Sequence, residues 1–558
     1  MRQETRLVLA MVISSALFIG YYMIFPPKLP MQPVMPAVID VATAIPATPA
    51  APALPTETVA EAKNLLIETP VSLITLSTRG GLITSAKLKD YHESVQEGAP
   101  PQDLLTRTEN SYAFFLGLTG YDRLTPETVF ELKNDTTAPD GSRTIELMWQ
   151  DSTLRITKSL VFNSPKGPYA ISVGYSVENL TDKPLQLAPY LESGLRQKVK
   201  TNSGGMLGAF QAQDDLYLMQ ALAKDSLEHP SVDNLQTQTW QMAVNQRQLS
   251  GLKSVEASAN WAALTDRYFL VGSIGDQALN AHAWFGQYQD FLISQLKNPL
   301  IQLAPHNRQD GYFVGYAGPK VLEQLKTAGG KLERSIDYGW FSLLAMPILW
   351  LMTTLHKLIP NFGLVIITLT FIIKLALHPV NKKSMTSMKA MQQLQPKLEH
   401  IRAKYGDNKE KMNVEVMQLF KTHKVNPAAG CLPMLMQMPV FIVLYKVLWN
   451  AIELYHAPFF GPYKDLSAPD PYFVLPVLLG IFFFLQQKLT PNPSADPTQK
   501  KMMMFMPLIF SGTMLFMPVG LVVYIFVNTL MSVAQQFMMT RDLTYKDVFT
   551  GQWAKKTV

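Results

Sequence analysis

Residues 362–377 read FGLVIITLTFIIKLAL, followed at once by His378, Pro379, Val380, Asn381, Lys382 and Lys383. Apart from Gly363, Thr368, Thr370 and Lys374 the stretch is apolar, and it reads as a membrane span that ends in a basic segment. A lysine at the centre of a bilayer costs roughly 2.5–3.5 kcal/mol on insertion scales. Lys374 lies six residues before Val380, hence roughly 9 Å deep. Depth alone leaves two readings open: the stem snorkels to the interface, or the ammonium belongs to a polar site.

The other apolar stretches tip that balance. They are Leu432–Trp449, Tyr472–Leu485 and Met502–Thr540. The last has 39 residues without a charge, about 58 Å as one helix, so it is expected to be two spans joined near Met517-Pro518-Val519-Gly520. Tyr524, Asn528, Ser532 and Gln535 fall on one helical face. Gln437, Tyr445, Gln486, Gln487, Ser511 and Thr513 add polar groups on the other stretches, and Thr370 shares the span of Lys374. Singly, each is an ordinary helix-packing contact. Together with a lysine they point to a shared hydrated cavity. Seventeen of the 28 Met lie in residues 385–558, which fits either ordinary packing or an adaptable surface for varied apolar partners.

Charge sets the topology. Residues 380–430 hold ten Lys and Arg against four Asp and Glu, a surplus equal to the +6 of the whole chain. Basic loops stay in the cytoplasm. Upstream, Leu7–Phe25 is a 19-residue uncharged run preceded by Arg2 and Arg6 and followed by Pro26-Pro27-Lys28. It is too long for a signal-peptide core and reads as an uncleaved anchor. An even number of crossings must then precede the basic loop, so the apolar stretch Trp340–Ile359 is expected to lie along the outer interface rather than span. Six spans result, with both termini cytoplasmic. Within the loop, Ser384–Tyr405 and Asn408–His423 are amphipathic at helical spacing, with Pro396 as an expected kink and Gly406-Asp407 as the turn. Its basic residues, among them Lys389, Lys397, Arg402 and Lys404, form a solvated topology signal or a contact for an anionic partner such as ribosomal RNA or lipid headgroups.

Between anchor and spans lie a tether and a domain. Residues 26–60 hold nine Pro and eight Ala, too few core-forming side chains for anything but an extended linker. Residues 61–338 carry strand-like runs at Val71–Leu76, Leu82–Leu88, Thr144–Trp149, Leu154–Phe162, Tyr169–Val177 and Tyr268–Ile274, many of them alternating apolar and polar at period two, with turn residues between. An antiparallel sandwich is expected. The resulting division is 1–25 anchor, 26–60 linker, 61–338 β domain, 339–360 interfacial helix, 361–379 second span, 380–430 basic hairpin, 431–540 third to sixth spans and 541–558 basic tail.

Catalytic signatures are absent from the sequence. There is no phosphate-binding Gly-rich loop, no zinc spacing among the nine His and no nucleophile elbow. The single Cys431 excludes an intramolecular disulfide and reads as a small residue at a helix entry. No enzyme activity and no cofactor are expected.

The chain resembles the YidC family of bacterial membrane protein insertases, related to the mitochondrial and chloroplast insertases. The resemblance rests on Lys424-Val-Asn-Pro-Ala-Ala-Gly-Cys-Leu-Pro433 running into Gln437-Met-Pro439-Val-Phe441, on Asp337-Tyr-Gly-Trp340, and on Met506-Pro507, Pro518-Val-Gly520 and Gln535-Gln536. It implies a polytopic α-helical membrane protein with a five-span core and a large periplasmic antiparallel β-supersandwich. It also implies a cationic hydrophilic groove open to cytoplasm and lipid. Lys374 stands where the family usually has Arg, keeping the charge without the bidentate fork. The groove would be lined by Thr370, Lys374, Gln437, Tyr524, Asn528, Ser532 and Gln535. The family's slide for substrate helices matches Met438, Phe441, Leu508 and Phe510. The resemblance further implies location in a Gram-negative inner membrane with residues about 26–360 periplasmic. The implied partners are nascent inner-membrane proteins, the Sec translocon with its accessory proteins, ribosomes, the signal recognition pathway and lipids, with a functional monomer expected. A secondary transporter or channel with an intramembrane lysine is the alternative, although no inverted repeat is visible. A carbohydrate-active β domain is a further rival carried by fold analogy alone.

Overall fold

The computed structural model describes residues 61–105, 111–196, 218–229, 253–288, 291–405, 408–423, 432–489 and 509–540. The anchor, the linker, the Gly406-Asp407 turn, Cys431, Leu508 and the basic tail lie outside them.

Alternation of apolar and polar residues makes the β domain. In the strand Leu154–Phe162 every second side chain is buried: Leu154, Ile156, Lys158, Leu160 and Phe162. Its neighbours on either side, Arg143–Gln150 and Ala170–Asn179, pair with it antiparallel. The ladder continues from Ala170–Asn179 to Arg308–Pro319 and on to Phe269–Ile274 and Lys253–Thr265. A second ladder runs from Tyr112–Thr119 through Leu185–Arg196 and Phe291–Lys297 to His282–Tyr288, which pairs again with Lys253–Thr265. A third joins Asn64–Glu68, Ser72–Ser77 and Leu82–His92. One apolar core, including Phe114, Phe162, Trp261, Phe285 and Phe313, fills the space between them.

Lys158 lies on the apolar side of its strand, within that core. It is wholly buried, and its Nζ donates to the carbonyls of Gly81 at 2.6 Å and Phe114 at 2.5 Å. Both acceptor residues are in the left-handed region, with φ of 57° and 63°. The lysine therefore ties three strand systems together at one point. Burial pushes its pKa down from the ordinary 10.5 to about 7.

The chain leaves the sheet at Pro319 and becomes helical. After the short helix α1 (Leu322–Ala328), α2 (Ser342–Leu358) buries Ala345, Leu349 and Met352 while presenting Leu343, Trp350 and Leu358 outward. Its outer face is thus apolar too, as suits a helix in contact with lipid. The longest helix, α3 (Phe362–Gln393), carries the span and continues without interruption through Pro379. Asn361 starts it, accepting the backbone N–H of Leu364 at 3.1 Å. Then come α4 (Gln395–Tyr405), α5 (Lys409–Thr422), α6 (Leu432–Asn450), α7 (Val474–Leu489) and α8 (Val519–Thr540). Before α8, helical residues 509–513 are followed by a short turn at Met514–Phe516.

Two expectations need revision. The basic hairpin does not begin a new helix at Ser384, because α3 runs straight into it. The break falls at Leu394 rather than as a kink at Pro396. Pro396 has no N–H to donate to residue 392, so it occupies the first turn of α4, where none is needed. α4 and α5 pair through Leu394, Leu398 and Phe420, and Lys397 Nζ lies 2.9 Å from His423 Nε2. Lys404 sits beside the ring of Tyr405, Lys389 falls on α3 and Arg402 on α4.

A joint links the β domain to the helices. The guanidinium of Arg267 donates to the carbonyl of Trp449 at 2.6 Å and lies 4.0 Å over its ring. Tyr455 packs against Tyr91, Tyr268 and Phe269. Asp337 accepts the N–H of Gly339 at 2.7 Å, and His229 beside it holds its carboxyl down at about 2.

Candidate functional site

Three helices converge on Lys374. Phe362–Pro379 of α3 and Val519–Met538 of α8 are long and apolar enough to cross a membrane, while α2 and α7 are apolar but shorter. Val365, Ile366 and Leu369 of α3, Val443, Leu444 and Val447 of α6, and Leu521, Val522 and Ile525 of α8 share one core. Polar groups sit below that core on the same helices.

Lys374 is only 5% exposed. Its Nζ donates to Ser532 Oγ at 2.7 Å, and Ser532 Oγ donates in turn to the carbonyl of Asn528 at 2.8 Å. Gln437 reaches from α6 toward the same place, its amide 3.4 Å from Tyr524 OH and 3.5 Å from Asn528 Oδ1. The structure therefore brings together Lys374, Gln437, Tyr524, Asn528 and Ser532. Among the described residues no carboxylate forms an ion pair with Lys374.

Thr370 and Gln535 do not join this set. Thr370 is buried, but its hydroxyl turns back to the carbonyl of Ile366 at 2.7 Å. Gln535 lies half-buried on α8. Thr529 and Gln536, also on α8, are buried. Sequence reasoning left both out. Their signal was the same polar residue type in an apolar span, one position off the face formed by Asn528, Ser532 and Gln535.

Of the slide residues, Met438 is 48% exposed on α6. Phe441 and Phe510 approach with ring centroids 6.5 Å apart, and Phe510 meets Phe483 edge-on at 5.3 Å. These aromatic contacts join α6, α7 and the 509–513 segment into one apolar surface beside the polar set. Among the described residues no three His, Cys, Asp or Glu side chains converge as metal ligands. The arrangement thus sets one cationic side chain and four uncharged polar ones near an apolar aromatic surface.

Comparison with known proteins places this architecture. Residues 64–351 match the family described as the YidC periplasmic domain, and residues 354–546 match the family described as the 60Kd inner membrane protein. The chain is 32% identical over 503 residues to the membrane protein insertase YidC of Pasteurella multocida (strain Pm70), covering 88% of each chain. The chain belongs to the YidC family. Another YidC, from Haemophilus influenzae (strain PittEE), is 32% identical over 501 residues, covering 86% of this chain and 87% of that one. A crystal structure of an active YidC insertase, with its first transmembrane domain resolved, is 18% identical. It covers 85% of this chain and 92% of its own, with a TM-score of 0.36. The family thus assigns the β-rich region to the periplasm and the helices that hold Lys374 to the membrane.

Proposed function

We propose that this chain is a membrane protein insertase and folding chaperone that works by partition, without covalent chemistry or ATP hydrolysis. The observation that carries the proposal is Lys374, enclosed between helices with a serine hydroxyl as its partner and, among the described residues, no carboxylate paired with it. The structural lysine of the β domain, Lys158, is held by two backbone carbonyls, whereas the single serine hydroxyl on Lys374 leaves its ammonium able to take a further acceptor. That acceptor is supplied by the client. A nascent chain meets the basic hairpin first. Its polar or acidic segment then enters beside Lys374, which lowers the cost of leaving water. The apolar segment follows Met438, Phe441 and Phe510 into lipid. Apolar burial at about 25 cal/mol per Å² drives the step, and the membrane potential assists when the moving segment is acidic.

The same reading includes six spans with both termini cytoplasmic, α2 on the outer interface, and the β domain in the periplasm. It also includes cooperation with the Sec translocon, ribosomes and the signal recognition pathway, by a chain acting as a monomer. The spacing of charge and apolar runs in the sequence supports the topology, and membership in the YidC family supports the activity.

The decisive experiment is site-specific crosslinking. Photoreactive residues at 374, 438 and 510 should each form adducts with a stalled nascent membrane protein. Crosslinks from the β-domain surface alone, with none from these three positions, would refute the proposed path.

A further inference from the structure

The loop between α6 and α7 carries an exposed apolar tip, Ala457-Pro-Phe-Phe-Gly-Pro-Tyr463, with no charged residue in it. Phe460 at its apex is 78% exposed and Tyr472, where the loop returns, is 64% exposed. In water such a tip would be unfavourable. It is also stiff. Phe459 accepts no freedom from its neighbours: its N–H donates to the carbonyl of Tyr463 at 2.9 Å, and Tyr463 N–H donates to Phe460 at 3.2 Å. Gly461 takes φ of 57° between Phe460 and Pro462, a turn that only glycine makes without strain. The tip is therefore ordered in advance, and covering it costs little conformational entropy.

Its height is set by the helices. Phe459 turns inward onto Gly363 at the start of α3, where any side chain would collide with its ring. The amide of Asn361 donates to the Phe459 carbonyl at 2.9 Å. Further along the loop, the N–H groups of Val519 and Gly520 at the start of α8 donate to Ala468 and Leu466 at 2.8 and 2.9 Å. The loop thus sits on the first turns of the two helices long enough to cross the bilayer. Leu358, exposed at the end of α2, stands at the same end. Tyr455, five residues before Phe460, touches the β domain, which fixes the side of the membrane.

We propose that the Pro458–Pro462 tip is a lipid contact, with Phe460 seated at the headgroup–acyl boundary of the leaflet on the β-domain side. Aromatic residues at that boundary pin the depth of neighbouring spans. The tip and the outer face of α2 then hold the same leaflet from two elements, setting the depth of α3 and so of Lys374. A protein partner is less favoured because the tip carries no charge and stands at the ends of the two helices long enough to cross the bilayer. The proposal rests on the membrane-spanning reading of α3 and α8.

The test uses the full chain with Cys431→Ser, reconstituted in vesicles of phosphatidylethanolamine and phosphatidylglycerol. A nitroxide is attached at Phe460→Cys and, separately, at Tyr472→Cys. Ile481→Cys on the exposed side of α7 and Lys183→Cys on the β domain serve as references. Collision with dioxygen, relative to a water-soluble nickel chelate, reports depth. Both tip labels should give a ratio at least threefold above Lys183 and below Ile481. A ratio equal to that at Lys183 would overturn the lipid contact, as would one equal to Ile481 or a label shielded from both reagents by protein. If Ile481 itself behaves like Lys183, the spanning reading has failed, and that result is distinguishable from failure of the tip alone.

Discussion

In the β domain Lys158 is wholly enclosed and donates to two backbone carbonyls, whereas in α3 Lys374 is enclosed by neighbouring helices and donates to one side-chain hydroxyl. The carbonyl of Phe114 is fixed in a strand and that of Gly81 in the tight turn entering one, so neither can turn away without disturbing the sheet. The hydroxyl of Ser532 can rotate, and it already has a second partner in the Asn528 carbonyl. Lys158 is therefore a strut, held by acceptors that nothing else can replace. Lys374 has an exchangeable partner, and under the proposed function a carboxylate or peptide carbonyl of a client displaces it. Burial alone does not tell a structural lysine from a working one. The mobility of its acceptor does.

The largest effect expected from this contrast is on folding. Lys158→Met strands two buried carbonyls and should cost about 3 kcal/mol at pH 9, read from denaturant unfolding or hydrogen exchange of β-domain amides in the whole protein. An unperturbed domain would break the strut reading. Next is its pH dependence. The unfolded chain keeps this lysine protonated up to its ordinary 10.5, while the folded chain releases the proton above about 7. Between those values the unfolded state binds more protons, so stability rises with pH, by about 2 kcal/mol from pH 7 to pH 9. The neutral amine still has two N–H groups for its two carbonyls. The Lys158→Met variant should lack this rise, so the parent profile minus the variant's should climb between pH 7 and pH 9, and a difference that falls over that range would contradict it.

Smaller effects are expected in the helices, and on activity rather than folding. Lys374→Ala should slow insertion of clients with acidic translocated segments about tenfold, the equivalent of one charge-assisted hydrogen bond, in a protease-protection assay with proteoliposomes. Lys374→Arg should stay near the parent rate. Equal activity of the alanine variant on every client would remove the role given to the charge. Ser532→Ala should cost about twofold or less, because the client supplies the acceptor. A loss as large as that of Lys374→Ala would show the hydroxyl to be as irreplaceable as the carbonyls around Lys158.

Much of the β domain was legible because alternation is a local signal. Leu154–Phe162 is a strand over the bounds that its pattern predicts, and Leu82–Leu88 and Thr144–Trp149 lie within observed strands. The same alternation placed Lys158 among Leu154, Ile156, Leu160 and Phe162. A lysine on the apolar side of a strand was a readable sign of a buried ammonium. Pairing was not legible. That Arg308–Pro319 lies between Ala170–Asn179 and Phe269–Ile274 depends on contacts distant in sequence. In the helices, the face of Tyr524, Asn528 and Ser532 followed from periodicity, and Lys374 was legible as a lone cation in an apolar span. The hydrogen bond joining residues 374 and 532 did not, nor did the retreat of Thr370 onto its own backbone. The run of α3 past the charged boundary was hidden because Pro379 looks like a stop but is tolerated inside the helix.

That run makes α3 a single shaft of 32 residues, about 48 Å long. Lys374 is mounted near its middle, and the first arm of the basic hairpin forms its far end. Pro379, five residues beyond the lysine, removes one rung of backbone bonding and concentrates bending there. Any change of bend at Pro379 therefore alters the angle between Lys374 and the residues beyond it, so neither end of the helix can be tilted without reference to that rung.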